Sequence, residues 1–259
     1  MPETPKQPSP ADFVEWNEEM ARRFDPERFH HHPNRLLRAL EAWRVRTAIG
    51  LLEVPAGGRV LEVGCGPGDL LLRLPGARLV VGLDLSARLL RRARARTGTK
   101  VAFLRGDAEG LPLRDGTFDR VLCSEVLEHT LHPGVVLAEI ARVLRVGGRA
   151  VVSVPEERTI NRLKAVAVRL GIAGVLGVTG AGAAGVDGGD GGVGVDGAVG
   201  DQEAGYQMVD RMDDAWHLHS FSLGMLRGMV PAGLVIGRVV TLPSRVLPIR
   251  HVVLFTRIA

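Results

Sequence analysis

Short apolar runs alternate with stretches of helical periodicity through the middle of this 259-residue chain. The apolar runs have the length of β-strands and fall at 59–63, 78–83, 100–104, 118–123 and 148–154. Helical patterns separate most of them, most clearly at 86–97 and 134–145. Strands that are apolar along most of their length occur in sheets covered on both faces. The alternation therefore predicts a parallel α/β sheet with helices on each side.

The flanking segments predict appendages to this single sheet domain. Helical patterns precede the sheet at 11–24 and 34–52. Residues 171–205 contain 14 glycines and neither lysine nor arginine, a composition typical of flexible chain. The expected parts are a disordered lead-in at 1–10, a helical cap at 11–54, a core at 55–155, a basic amphipathic lid helix at 156–170, a glycine-rich insert at 171–205, and a C-terminal part at 206–259 that completes the sheet with a helix near 222–230 and strands near 233–241 and 249–257.

Composition limits the class of protein. With 46% apolar and 24% charged residues, the chain has the make-up of a soluble globular protein. No window of about 18 strongly apolar residues occurs and the N-terminus has no signal-peptide pattern, so we expect a cytoplasmic protein. The net charge is +4, but the densest basic run, at 88–96, has no interleaved aromatic residues. That run predicts a solvated helix face rather than a nucleic-acid surface.

A glycine-rich turn follows the first predicted strand, in the string VLEVGCGPGD. Gly64, Gly66 and Gly68 allow the backbone to turn sharply and to approach a ligand closely. Asp84 ends the next strand, where its carboxylate can accept hydrogen bonds from both hydroxyls of a ribose. Together these features predict a site for a cofactor that contains adenosine.

The details around the turn argue against a nicotinamide cofactor. The spacing is G-x-G-x-G, not the G-x-G-x-x-G of dinucleotide-binding turns. Glu62 precedes the glycines, where it could meet an ammonium group, which nicotinamide lacks. Tyr206 is the sole tyrosine and no lysine stands four residues after it, so the Tyr–Lys pair of short-chain reductases is absent.

Four strings in the core resemble the successive motifs of class I S-adenosylmethionine-dependent methyltransferases, in the small-molecule (type 11) group. They are VLEVGCGPGDLL, VGLDLS, GDAEGLPLRDGTFDRVLCSEVLEH and LRVGGRAVVSVP, and they cover roughly 59–154. The resemblance implies a Rossmann-like, doubly wound, seven-stranded sheet that is mostly parallel, with the last strand antiparallel. It also implies S-adenosyl-L-methionine as methyl donor and a small-molecule acceptor, and we expect the methylated atom to be a hydroxyl oxygen.

The resemblance assigns cofactor contacts residue by residue. The methionine part is expected near the glycine turn, the ribose and adenine near the ends of the second and third strands, and the sulfonium near the end of the fourth. The residues, in that order, are Glu62, Gly64, Cys65, Gly66 and Gly68; Asp84 and Leu85; Asp107 and Ala108; and Ser124 and Glu125.

The string SEVLEH, after the fourth strand, leaves three interpretations open. His129 could act as a general base, with Glu128 and the more distant His217 as further candidates. Glu125, Glu128 and His129 could instead hold magnesium, an arrangement similar to that of the magnesium-dependent ubiquinone-pathway and small-RNA 2′-hydroxyl methyltransferases. The third interpretation is that Glu128 and His129 only bond locally and hold a loop in place. We expect no metal cofactor.

Other functions remain as alternatives. The segment after the fourth strand lacks the N/D-P-P-Y string of base-amine methylases, which disfavours a nucleic-acid methyltransferase. Two further alternatives are a protein methyltransferase and a non-catalytic protein that binds an adenosyl group or a lipid surface. Basic and apolar residues share the helix at 156–170, a pattern that suits an anionic, lipid-like acceptor or contact with a membrane surface. We expect no nucleic-acid partner.

Overall fold

A computed structural model describes residues 8–24, 34–74, 76–170 and 216–259 of the chain. The predictions for the flexible insert at 171–205 and for most of the lead-in at 1–10 concern residues outside this description. Tyr206 also lies outside the described residues.

The described chain forms a seven-stranded sheet with the strand order β3-β2-β1-β4-β5-β7-β6. β1 to β5 are parallel, whereas β7 runs antiparallel between β5 and β6. The prediction of a Rossmann-like sheet with an antiparallel last strand is therefore confirmed. The strands are β1 Arg59–Val63, β2 Leu79–Asp84, β3 Ala102–Arg105, β4 Phe118–Ser124, β5 Leu144–Pro155, β6 Leu234–Pro243 and β7 Pro248–Arg257.

Three of the six helices in the described part begin at a side chain that satisfies a free N–H group. Asn34, Ser86 and Ser222 each accept a hydrogen bond from the backbone N–H two or three residues ahead. Most helix ends lie within one or two residues of those predicted. The helices are α1 Phe13–Arg23, α2 Arg35–Leu52, α3 Ala87–Thr97, α4 Pro133–Val143, α5 Glu157–Arg169 and α6 Leu223–Gly228. None of the helices in the described part is long and apolar enough to cross a membrane.

Two apolar cores lie on opposite faces of the sheet, which explains why the central strands are apolar at successive positions. In β4, Val121 and Cys123 pack into the core beside α4, whereas Leu122 packs into the core beside α2. All three side chains are completely buried. The alternation of side chains along a strand therefore needs apolar residues at every position here.

The order of the strands fixes where a ligand can bind. β1 is followed along the chain by its neighbour on one side, β2, and later by its neighbour on the other side, β4. Their helical connections therefore leave a crevice at the carboxyl ends of β1 and β4, which is the usual ligand site of open α/β sheets.

Gly82, in the middle of β2, is expected to tolerate no side chain. An added Cβ atom would lie 2.9 Å from Cys65 Sγ and 2.9 Å from Leu71 Cδ1, inside van der Waals contact. We expect Gly82→Ala to lower the free energy of unfolding by about 1–3 kcal/mol, because overpacking forces its neighbours to move. Urea unfolding measures this difference.

Gly50 provides the control, since it lies in α2 and an added Cβ atom would meet nothing within 4 Å. We expect Gly50→Ala to raise the free energy of unfolding by about 0.5–1 kcal/mol through helix propensity. Equal effects of the two substitutions would contradict the packing argument.

Candidate cofactor and acceptor site

A cavity of about 500 Å³ lies at the carboxyl ends of β1, β2, β4 and β5. Every residue predicted to bind the cofactor lines it except Gly68, and so do Glu128, His129 and His217. Gly68 faces α3 instead, where an added Cβ atom would lie 3.2 Å from Ala93 Cβ. The absence of a side chain at Gly68 therefore lets the glycine turn pack closely on α3.

The glycine turn forms one wall of the cavity. Gly64 and Gly66 have φ angles of +67° and +51°, in the left-handed region that favours glycine. A side chain at Gly64 would overlap the methyl groups of Val126, which follows β4. The turn after β1 and the turn after β4 are therefore in direct contact, and only glycine fits at this point.

Asp84 joins the end of β2 to the glycine turn. Its Oδ2 accepts the N–H of Gly66 at 2.7 Å, and its Oδ1 accepts the N–H of Ser86 at 2.8 Å. Burial nevertheless raises the pKa of Asp84 to about 6. Leu85, Asp107 and Ala108 continue the same wall, where Asp107 Oδ1 also accepts the N–H of Glu109 at 2.9 Å and closes a local turn.

Glu62 is a buried carboxylate in the wall of the cavity. Its side chain is 2% exposed, and Glu62 Oε2 has no hydrogen-bond partner among the described residues. Burial raises the pKa of Glu62 well above its ordinary value, and the charge of Asp69 adds to this effect, while Arg44 opposes it. A buried carboxylate oxygen without a partner is costly, so a cationic group bound in the cavity would fit here.

The N-terminal helix α1 closes the cavity over this wall, and Phe13 and Asn17 line it. The carboxylate of Glu18 accepts the N–H of Ala87 at 2.6 Å and the hydroxyl of Ser86 at 2.8 Å. It therefore binds the first turn of α3, where acidic groups are favoured. Sequence reasoning missed Glu18, because nothing local shows which distant helix an acidic side chain will contact.

The end of β4 places Ser124 and Glu125 in a polar network. Glu125 forms an ion pair with Arg250 of β7, and its Oε1 accepts the hydroxyl of Ser153 at 2.8 Å. Ser124 Oγ and Ser153 Oγ lie 2.9 Å apart. Glu125 is therefore held by β5 and β7, and among the described residues it is not in the group of possible metal ligands formed by Glu128, His129 and His217.

Glu128 and His129 meet His217, a residue far away in sequence. One ligand atom from each of the three side chains lies within 4.8 Å of the others. Segment 216–219 is held in place by backbone contacts, since the N–H of Leu218 donates to the Glu128 carbonyl at 2.7 Å. Nε2 of His219 instead forms a hydrogen bond with the Thr130 carbonyl at 2.9 Å, and His219 does not line the cavity.

Each imidazole in this group is oriented by an oxygen. His129 Nδ1 lies 3.2 Å from the Trp216 carbonyl, and His217 Nδ1 lies 2.8 Å from Glu157 Oε1. A carbonyl only accepts hydrogen bonds, so Nδ1 of His129 carries the proton and its Nε2 keeps a lone pair. Glu157 is a second residue that sequence reasoning missed.

Burial changes the acid–base properties of the group. It lowers the pKa of His129 to about 3, helped by the charge of His217, so this imidazole is neutral at pH 7. Burial raises the pKa of Glu128 to about 7, against the opposing charge of His217. A general base works best with a pKa near the working pH, so Glu128 is the better proton acceptor of the two.

We expect Glu128→Gln to stabilise the protein more at pH 8 than at pH 5. The pKa of Glu128 rises from 4.5 to about 7 on folding, so the folded state holds a proton that the unfolded state releases. The free energy of unfolding therefore falls as pH rises between these values. At 1.36 kcal/mol per pKa unit, the substitution removes a cost of about 3 kcal/mol at pH 8.

Urea unfolding of both proteins at the two pH values, in EDTA, measures this difference. Glu19→Gln is the control, because Glu19 is an exposed partner of Arg22 and its side chain is 47% exposed. A stability difference for Glu128→Gln that is the same at pH 5 and pH 8 would rule out the shifted pKa.

Residues 61–152 match the family model described as a methyltransferase domain. A ubiquinone biosynthesis O-methyltransferase of Xanthomonas axonopodis pv. citri is 37% identical over 149 residues, which are 55% of this chain and 59% of that protein. The 27-O-demethylrifamycin SV methyltransferase of Amycolatopsis mediterranei is 37% identical over 107 residues, 39% of each chain. The chain thus spans only part of the length of these relatives.

The fold comparison extends over almost the whole chain. The methyltransferase solved in complex with the Haloferax volcanii Trm112 methyltransferase activator superposes with a TM-score of 0.61 over 95% of this chain and 96% of its own, at 19% identity. At that identity the likeness concerns the fold alone. The match of residues 61–152 to a methyltransferase domain and the two methyltransferase relatives support, for this part of the chain, a class I S-adenosylmethionine-dependent methyltransferase.

Proposed function

We propose that this protein transfers a methyl group from S-adenosylmethionine to a hydroxyl oxygen of a small-molecule acceptor. The observation that carries the proposal is one continuous cavity that joins the glycine turn and Asp84 to the group of Glu128, His129 and His217. One end has the features of a nucleoside site, and the other end holds proton acceptors.

The cofactor end has a suitable partner for each part of S-adenosylmethionine. Glu62 would bind the ammonium group, which explains why Glu62 Oε2 has no hydrogen-bond partner within the described residues. Asp84 would accept hydrogen bonds from the ribose hydroxyls, with Leu85 against the adenine. Asp107 and the backbone of Ala108 would contact the adenine edge. When bound, the cofactor supplies a methyl group that is already activated by its sulfonium.

The protein's own contribution is then mainly to hold the acceptor in line. Correct positioning alone can supply roughly 7–11 kcal/mol of the barrier. Removal of a hydroxyl proton adds about 3–5 kcal/mol where it occurs. The pKa of Glu128, raised to about 7, suits this carboxylate to accept a proton near neutral pH, and neutral His129 offers a lone pair beside it. We therefore assign proton removal to this pair, with Glu128 as the acceptor at neutral pH.

The walls around the acceptor end favour a mostly apolar small molecule. Helices α2 and α5 contribute Leu36, Leu37, Ile160 and Leu163 to the lining. The names of two relatives specify O-methylation or a rifamycin acceptor, which supports an oxygen as the methylated atom. The exposed side chains of α5 include Val166 and Val168 as well as basic residues, so contact with a lipid-like acceptor or a membrane surface stays a prediction.

We expect the protein to bind S-adenosylhomocysteine, and Asp84→Asn to weaken that binding about tenfold to a hundredfold. A hydrogen bond to a charged group contributes about 1.5–3 kcal/mol. In the wild type the affinity should also fall below pH 6, because Asp84, with a pKa of about 6, then gains a proton and loses acceptor capacity. Calorimetric titration at pH 5 and pH 7.5 measures both effects.

Asp115→Asn is the matched control, because Asp115 is an exposed partner of Arg142 outside the cavity. It should bind the ligand like the wild type. No binding by the wild type at either pH would overturn the proposed function and favour a non-catalytic role.

We expect Glu128→Gln to lower kcat by about 10²–10⁴ while the affinity for S-adenosylhomocysteine stays unchanged. The measurement uses the best acceptor from a panel of catechols, phenols and alcohols, with RNA and protein included to test the alternative substrate classes. His129→Gln should lower kcat less, since a pKa of about 3 makes it a weak base.

The same assays with EDTA decide between proton transfer and metal binding. Glu128, His129 and His217 could together hold a divalent cation. Activity that is lost in EDTA and restored by magnesium would replace the general-base assignment with a metal-assisted one.

A further inference from the structure

The backbone at Glu125 is strained. Its φ angle is +56°, in the left-handed region that residues other than glycine, asparagine and aspartate rarely occupy. Glu53 is the other non-glycine residue with a positive φ in the described chain, and it lies at a helix end. Such a conformation persists only where surrounding contacts hold it, and it often marks a functional site.

Three contacts hold Glu125 in this conformation. Its N–H donates to the Ser153 carbonyl at 3.1 Å, and its Oε1 accepts the Ser153 hydroxyl at 2.8 Å. Its other carboxylate oxygen pairs with Arg250, and both side chains of the pair are 19% exposed. Since Arg250 pairs with Pro155 in the antiparallel register of β5 and β7, the last strand delivers this cation to the end of β4.

The strained turn shapes the wall of the cofactor site. Ser124, Glu125 and Val126 all line the cavity, and the methyl groups of Val126 occupy the space that a side chain at Gly64 would need. The direction of the chain at Glu125 therefore determines how Val126 meets the glycine turn. A change in φ at Glu125 would move one wall of the site against the other.

A buried network extends these contacts to the helical cap. Arg44 of α2 is 4% exposed, forms two hydrogen bonds with Glu41, and donates to Ser153 Oγ at 3.2 Å and to Ser124 Oγ. The network therefore joins α2 to the ends of β4, β5 and β7 through the same serine that holds Glu125.

We propose that Arg250 is a positioning residue for methyl transfer, which holds the left-handed turn at Glu125 and thereby seats Val126 against the glycine turn. This role rests on the proposed function, because the site that it shapes is the site for S-adenosylmethionine. Arg250 acts on the donor through Glu125 and Val126. A direct contact of Arg250 with the donor or the acceptor is the competing explanation.

Rescue by glycine tests the role. We expect Arg250→Met to bind S-adenosylhomocysteine about tenfold more weakly than the wild type. Without the cation, the strained backbone at Glu125 would relax and Val126 would move against the glycine turn. Adding Glu125→Gly should restore the affinity to within about threefold, because glycine adopts a left-handed φ without a partner. Calorimetry measures the affinities, and single-turnover rates show whether the rate of methyl transfer recovers in parallel.

Two further variants control the experiment. Arg250→Lys keeps the cation and should bind S-adenosylhomocysteine more tightly than Arg250→Met. If Arg250→Met does not fold, Arg250→Lys with and without Glu125→Gly provides the same comparison, because lysine loses the planar fork of the guanidinium. Arg238→Met changes an exposed arginine of β6 and should leave the affinity unchanged.

The outcomes separate the two proposals. If the wild type binds and Arg250→Met binds equally well, or if Glu125→Gly fails to rescue it, the positioning role of Arg250 is overturned and the proposed function stands. If the wild type itself does not bind S-adenosylhomocysteine, the proposed function fails and this role fails with it.

Discussion

The contact between the turn after β1 and the turn after β4 is the constraint on which the site depends. Val126 fills the space beside Gly64, so neither turn can move without the other. The parallel pairing of β1 with β4 brings the two turns to the same edge of the sheet. The glycine turn, the end of β4 and the acids around them therefore form one rigid wall, which a cofactor needs if its reactive group is to be held in line.

Burial of acidic groups is the second feature that unites the site. Glu62, Asp84 and Glu128 are each less than a tenth exposed, and burial raises the pKa of all three. Such groups lower the stability of the empty protein at neutral pH. Their concentration around one cavity is the distribution expected of a functional site, where stability is given up for binding and chemistry.

Local sequence was sufficient for the sheet and for one half of the site. The alternation of apolar runs and helical patterns predicted the strands, because a strand buried on both faces is apolar at most of its positions. The residues of the cofactor half are close to strand ends, and parallel strands bring those ends together. Hence Glu62 and Asp84 could be placed at one site from the glycine turn and the strand ends, whereas the resemblance to the methyltransferase family placed Asp107 and Ser124 there, and all four line the cavity.

The sequence by itself determined the order of strands and helices, the glycine turn and the resemblance to a methyltransferase family, since these depend on periodicity and on short strings of residues. Only the tertiary structure decided the partners of the charged side chains. It paired His217 with Glu157, Glu125 with Arg250 and Glu18 with the first turn of α3. A charged side chain carries no local signal of its partner, because the attraction acts through space between segments that the fold alone brings together.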